Sequence, residues 1–432
     1  MESVVAGTGA TFADNSGEPV HRWFRFPAGF SAGLVRGVLR VFGVGRGSVV
    51  LDPFTGSGTT NVVAKSLGVD SVGVELHPLL AWVARVKTYW EFDLRALREV
   101  VDWAVARVEH EVLERAVGLV GRVREKPELL LRCYSERTLA ELYAIKEVVD
   151  EVEDEHARDF LLLALLSALR DVADAEVGWP YVRPGKGKRR HTPPPVEAFK
   201  QRVKLQYEDL VAVRSKLGGR AAEASIYNED ARTLTKFLDR GSVDFAFTSP
   251  PYLNNYDYAD RTRLELYFLG WASSWRELSE KIRRKLIVSC VHQVSALGLR
   301  EDLKLSDEIG EGVREELSEK VRALSAVKRE RGGRKDYDVM VAAYFNDMAK
   351  ALREVYEVLK DGGYLAMVVG DSAPYGIHIP TDEYLGRIGV SVGFERYKTL
   401  TIRERGGRWR HLADTGRRHG LKLRESLVVL QK

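Results

Sequence analysis

Three short stretches of the chain carry residue types whose spacing could do chemistry. The first is Thr248-Ser249-Pro250-Pro251-Tyr252, which follows an apolar run over 242–247. Neither proline can donate to a ladder, so a strand over 242–247 must stop there in a stiff turn. Pro250 and Pro251 also push the residues before them toward extended backbone. The result is a rigid platform with a hydroxyl at Ser249, fixed carbonyls and an aromatic ring at Tyr252. The second stretch is Asp52-Pro53-Phe54-Thr55-Gly56-Ser57-Gly58-Thr59-Thr60, directly after the apolar run 48–51. Gly56 and Gly58 allow close approach of backbone to a ligand. The third is Glu75, an acid that closes the apolar run 71–75.

These residues narrow the ligand. A dinucleotide loop wants a third glycine three positions after the second, but position 61 is Asn, and the lysine of a phosphate-cradling P-loop is missing. A carboxylate at Glu75 can accept hydrogen bonds from both hydroxyls of a ribose. S-adenosylmethionine (SAM) joins a ribose to a cationic sulfonium and carries no phosphate. An acidic, phosphate-free site suits it better than a nicotinamide dinucleotide. An ordinary glycine-containing turn and a solvent-facing glutamate remain the plainer alternatives for each piece alone.

The elements that must hold these residues read as an α/β protein. Strand, glycine turn, helix and strand over 48–75 form the first βαβ unit of a doubly wound sheet. Further strands are predicted at 224–227, 242–247, 364–369 and 425–430. A helix over 339–359 is predicted to stop at Asp361-Gly362-Gly363. Residues 79–220 carry apolar positions at helical spacing, as in Leu97, Val100, Val101, Ala104 and Val105. The Pro/Gly/basic segment 178–195 interrupts them and is expected to hold no regular element. Residues 263–324 are mostly helical and heavily charged, and a basic loop follows over 328–335.

Composition bounds the rest. At 432 residues the chain is expected to hold two or three units, or one core with large insertions. No apolar run reaches membrane-spanning length, and the first residues lack the pattern of a signal peptide, so a soluble cytoplasmic protein is expected. Cys133 and Cys290 make neither a disulfide framework nor a metal-ligand spacing, and no metal is expected. Few Asn, Gln, Cys and Met beside abundant Arg and Glu lean toward a thermophilic source.

Together the glycine motif and the Ser-Pro-Pro-Tyr turn resemble the amino-methylating, SAM-dependent methyltransferases of nucleic acids, specifically the cytosine-N4 type. The resemblance covers residues 20–90 and 222–260, and more loosely 340–432. It implies a Rossmann-like sheet in unpermuted order, because the glycine loop precedes the Pro-Pro turn, with two mostly helical insertions. It also implies that Phe26 and Pro27, in the segment before the first strand, cover the methionine end of the cofactor. Asp52, Phe54, Gly56, Gly58 and Thr59 would form the cofactor loop, Glu75 would bind the ribose, and Asp230 would contact the adenine amino group. The expected organisation is an arm over 1–20 and a core from 21–90, 222–262 and 338–432. A helical insertion over 91–221, a candidate for target recognition, and a charged one over 263–337 complete it.

Within that resemblance the turn acquires a mechanism. An exocyclic amine is a poor nucleophile because its lone pair is delocalised into the ring. Ser249 and the Pro250 carbonyl can accept its N–H bonds and favour a pyramidal nitrogen. Pro251 stiffens the platform, and Tyr252 can stack on an extruded base. Serine at this position goes with cytosine-N4 more often than with adenine-N6. Lys186, Lys188, Arg189 and Arg190 in the first basic loop, Arg334 in the second, and Tyr256 and Arg261 after the turn are the candidate nucleic-acid contacts. DNA is the expected substrate and RNA, such as ribosomal RNA cytidine, the rival. Adenine-N6 or guanine-N2 methylation, or a non-catalytic nucleic-acid-binding subunit, are further alternatives.

Overall fold

The computed structural model describes residues 12–26, 29–177, 182–184, 192–218, 222–333, 335–405 and 423–432. Seven strands form its central sheet: β1 (Val49–Asp52), β2 (Asp70–Val74), β3 (Ala224–Tyr227), β4 (Val243–Thr248), β5 (Leu359–Gly370), β6 (Arg396–Arg405) and β7 (Leu423–Gln431). Their spatial order is β3-β2-β1-β4-β5-β7-β6. The first five run parallel, and β7 is antiparallel to both β5 and β6. This is the doubly wound, Rossmann-like sheet anticipated from the sequence. The chain steps outward from β1 to β3 and then returns to lay β4 on the other side of β1. Loops leaving β1 and β4 therefore diverge, and a crevice opens at the carboxyl ends of those strands.

The described residues also hold ten longer helices. In chain order they are α1 (Ala32–Val41), α2 (Thr59–Leu67), α3 (Pro78–Thr88), α4 (Leu94–Val123), α5 (Glu136–Asp150), α6 (Glu155–Asp171), α7 (Pro195–Leu217), α8 (Glu311–Glu330), α9 (Tyr337–Val358) and α10 (Thr381–Val392). Both faces of the sheet are covered, which is why the central strands are continuous apolar runs rather than alternating ones. Phe245 and Phe247 of β4 pack with Leu34, Val35 and Val38 of α1 on one face. Leu51 and Ala246 pack with Met340, Tyr344 and Met348 of α9 on the other. β4 ends at Thr248, one residue short of the prolines, whose missing N–H groups cannot continue the ladder.

Strand β6 has no counterpart in the sequence reading. It is an edge strand whose Arg396, Lys398 and Arg403 blunt pairing with another chain, so charge hides its apolar period. A second difference is a small antiparallel ribbon, Glu176–Val177 with Val182–Arg183, where a wholly irregular loop was expected. The basic stretch at 328 also differs: α8 runs on to Glu330, and Lys328 is buried between Glu301 (2.8 Å) and Asp336 (2.6 Å).

Helix α7 is riveted to the segment before α1. Asp209 of α7 accepts from the Val20 N–H, the Trp23 indole and the Arg22 guanidinium, at 2.6–3.0 Å. Val20 sits at φ +66, a conformation costly for a β-branched residue, and the bond to Asp209 helps to hold it there.

Candidate active site

At the switch point a cavity opens between the β1 and β4 loops, the place where sheets of this topology bind their ligands. The glycine loop forms its floor through Phe54, Gly56 and Thr59, with Glu75 and Asp230 along one side. Ser249 and Pro251 stand at the other end, and Phe26 and Phe30 close the wall from the segment before α1. Among the described residues, the lining has two carboxylates and no lysine or arginine.

Each carboxylate has a distinct environment. Glu75 accepts the Gly56 N–H on one oxygen and the His77 N–H on the other, both at 2.8 Å. Burial nevertheless pushes its carboxyl up to about 7, with the two N–H bonds opposing that rise. Asp230 caps the turn after β3 and is paired with Arg232 at 2.7 Å. Arg232 reaches on to Asp347 at 2.8 Å and to the Lys285 carbonyl at 2.7 Å. That bridge ties segment 285–287 over the cavity, and Leu286 and Ile287 face into it. Much of the accepting capacity of Asp230 is thus used by Arg232.

Asp52 and Gly58 do not line the cavity. Asp52 is fully buried beneath the loop. Its Oδ1 accepts from Thr248 Oγ1 (2.7 Å) and the Phe54 N–H (3.1 Å), and its Oδ2 from Thr60 Oγ1 (2.6 Å). Desolvation lifts its carboxyl to about 6 against the pull of those donors. It shapes the loop and does not face a ligand there. Gly58 has φ +86, and a Cβ would stand 3.2 Å from Ala84, so this glycine serves the packing of the loop on α3. Below it the buried Lys87 donates to the Ser57 carbonyl at 2.8 Å.

On the turn, Ser249 Oγ donates to the Val368 carbonyl of β5 at 3.1 Å. Its single proton is thereby committed to the sheet, and its lone pairs remain for a ligand N–H. Pro250 and Tyr252 do not line the cavity. Tyr252 donates its hydroxyl to Glu425 Oε1 of β7 at 2.7 Å. Tyr256 lies over the guanidinium of Arg261, 4.5 Å from ring centre to Cζ, and Arg261 is only 5 % exposed. Arg261, read from sequence as a nucleic-acid contact, is thus a buried cation behind the surface. Pro27, Lys186, Lys188, Arg189, Arg190 and Arg334 lie outside the described residues.

Several wall residues were not singled out from sequence: Phe30, His77, Leu286 and Ile287. His77 is buried, its Nε2 lies 2.8 Å from Thr262 Oγ1, and burial lowers its pKa to about 4, so the ring is neutral near pH 7. Its position directly after Glu75 was the one available signal. Away from the cavity, Asp257, Cys290 and His292 bring ligand-type atoms within 4.8 Å of one another. Arg283 Nε already sits 2.7 Å from Asp257 Oδ2, both side chains buried, and a metal cation there would meet that guanidinium charge.

The chemistry of the cavity fits SAM: carboxylates for the ribose and purine, free space at Gly56, apolar walls, and no cation among the described lining residues to repel a sulfonium. Comparison with known proteins agrees. Residues 10–82 match the N6_N4_Mtase family, described as DNA methylase. The chain is 26% identical to the type II methyltransferase M.BsoBI of Geobacillus stearothermophilus, over 98% of this chain and 87% of the relative. It is 25% identical to M.AvaI of Nostoc sp. over 91% and 82%, and 22% identical to M.MvaI of Kocuria varians over 89% and 82%. These likenesses support an amino-methyltransferase that uses SAM. No helix of the described residues is long and apolar enough to cross a membrane.

Proposed function

We propose that this protein transfers a methyl group from SAM to the exocyclic N4 amine of cytosine in DNA. The observation that carries the reading is the committed proton of Ser249: with Oγ donating to Val368, the hydroxyl meets the cavity as an acceptor. Glu75, Asp230, the Gly56 backbone and Phe26 would hold SAM, whose sulfonium supplies an electrophilic methyl group. Ser249 and the Pro250 carbonyl accept the N–H bonds of the incoming amine and draw its lone pair out of conjugation. Phe26, Phe30 and Ile287 keep water from the reacting atoms, and the stiff Pro-Pro turn supplies orientation. The hydroxyl is neutral, so the proton released after transfer passes to water. DNA follows from the matched family's description, and serine rather than an acid at position 249 favours cytosine over adenine.

The test is transfer from methyl-labelled SAM to unmodified DNA and to total RNA, followed by mass spectrometry of the digested nucleosides. N4-methylcytosine in the DNA pool is the expected product. N6-methyladenine would overturn the base assignment, label in RNA alone would overturn the partner, and label in neither would overturn the enzymatic reading.

A further inference from the structure

Tyr252 is anchored at its far end: its hydroxyl donates to Glu425 Oε1, 173 residues later in the chain, at 2.7 Å. Glu425 is 5 % exposed, and its second oxygen takes Arg403 Nε of β6 at 2.5 Å. The register explains that last contact. Thr401 pairs with Ser426 but Arg403 pairs with Glu425, so an extra residue, Ile402, bulges from the edge strand. A bulge re-aims the side chains that follow it, and here it brings the guanidinium opposite Glu425. Without Arg403, a nearly buried carboxylate would keep, among the described residues, only a phenol as partner.

We propose that Glu425, backed by Arg403, is a positioning residue for Tyr252, fixing the ring as a preformed platform on which the extruded base stacks. The inference rests on the function proposed above. Tyr252 follows directly on the Ser249 and Pro251 wall, and its half-buried ring leans on the core that holds Phe30 of that same wall. A tyrosine ring has few rotors to immobilise, and a charge-assisted bond at its far end removes most of what is left. Placement matters because small errors of approach in the reacting geometry cost rate steeply.

A double-mutant cycle tests this, with SAM affinity measured by calorimetry alongside. Tyr252→Phe and Glu425→Leu should each lower kcat for methyl transfer to DNA about tenfold, and the double variant should be no slower than either. Glu425→Gln keeps an acceptor for the phenol and should stay within about threefold of wild type. SAM affinity should not change in any of them. Independent, multiplying effects would overturn the proposal, as would a slow Glu425→Leu beside a Tyr252→Phe of wild-type rate. So would loss of SAM binding in Glu425→Leu, the mark of a merely structural role. A 13C label at tyrosine Cζ reads the tether without activity. The Tyr252 resonance should shift in Glu425→Leu and return in Glu425→Gln. That shift in a protein that methylates nothing would sink the functional reading and leave the contact; its absence in an active protein would sink the tether.

Discussion

Thr248 donates its hydroxyl to Asp52 Oδ1 at 2.7 Å, so the last residues of β4 and β1 share one buried carboxylate. The two sequence motifs are thereby joined beneath the cavity they border. Thr248→Val keeps the shape and deletes the donor, leaving Oδ1 with the Phe54 N–H alone. A cost of about 1–3 kcal/mol in urea denaturation is expected. The sign of its pH dependence follows from burial. A carboxyl whose folded pKa is about 6, above its unfolded value, favours the folded state most at low pH and loses that contribution as pH rises toward 6. Deleting a donor to the ionised form should extend the decline to higher pH. A variant with unchanged stability and profile would mean that the clamp carries no weight.

Ser249→Ala removes an acceptor and leaves the fold of the turn to its prolines. The expected result is a fall in kcat of roughly a hundredfold, the scale of one preorganised hydrogen bond at a reacting centre. SAM binding by calorimetry should be unaffected. Loss of cofactor affinity instead would show that the hydroxyl serves the cofactor and not the amine.

The two motifs were legible in the sequence because glycine and proline act locally. Gly58 permits a left-handed backbone that other residues resist, and Pro250 cannot continue a strand's ladder. What burial does to such residues was not legible. Asp52 reads as a ligand-binding acid at a strand end, and only the packing of β4 against β1 turns it inward. Arg261 reads as a surface cation for the same reason, and only Tyr256 covering it shows otherwise. Leu286 and Ile287 come from a stretch with no motif of its own. They reach the cavity through a bridge from Arg232 to the Lys285 carbonyl, an interaction that no local pattern encodes. The edge strand β6 hid behind charges that serve to keep it solitary.

Glu75 should make cofactor binding pH-dependent in a definite direction. The ionised carboxylate is the form that accepts two ribose hydroxyls, and burial holds its pKa at about 7. SAM affinity should therefore rise as pH increases from about 6 to about 7, by up to tenfold per unit, and level off by about pH 8. Glu75→Gln should bind more weakly and flatten the profile. Calorimetry across that range decides the matter, and a wild-type profile that falls with rising pH would contradict the assignment.

Arg284 and Lys285 are exposed, and no carboxylate of the described residues lies within ion-pair distance of either. They precede Leu286 and Ile287 in the cavity wall, and Trp275, 42 % exposed, stacks on the neighbouring Arg283. Two such cations beside the mouth are suited to DNA phosphates on either side of an extruded base. Arg284→Ala with Lys285→Ala should weaken DNA binding at low salt irrespective of sequence. The slope of log affinity against log salt should drop by about 2, one unit for each phosphate no longer neutralised. With DNA saturating, kcat should hold, because neither side chain faces the reacting atoms. Fluorescence anisotropy of a labelled duplex over a salt series measures the slope. An unchanged slope would move the DNA-binding face to another part of the molecule.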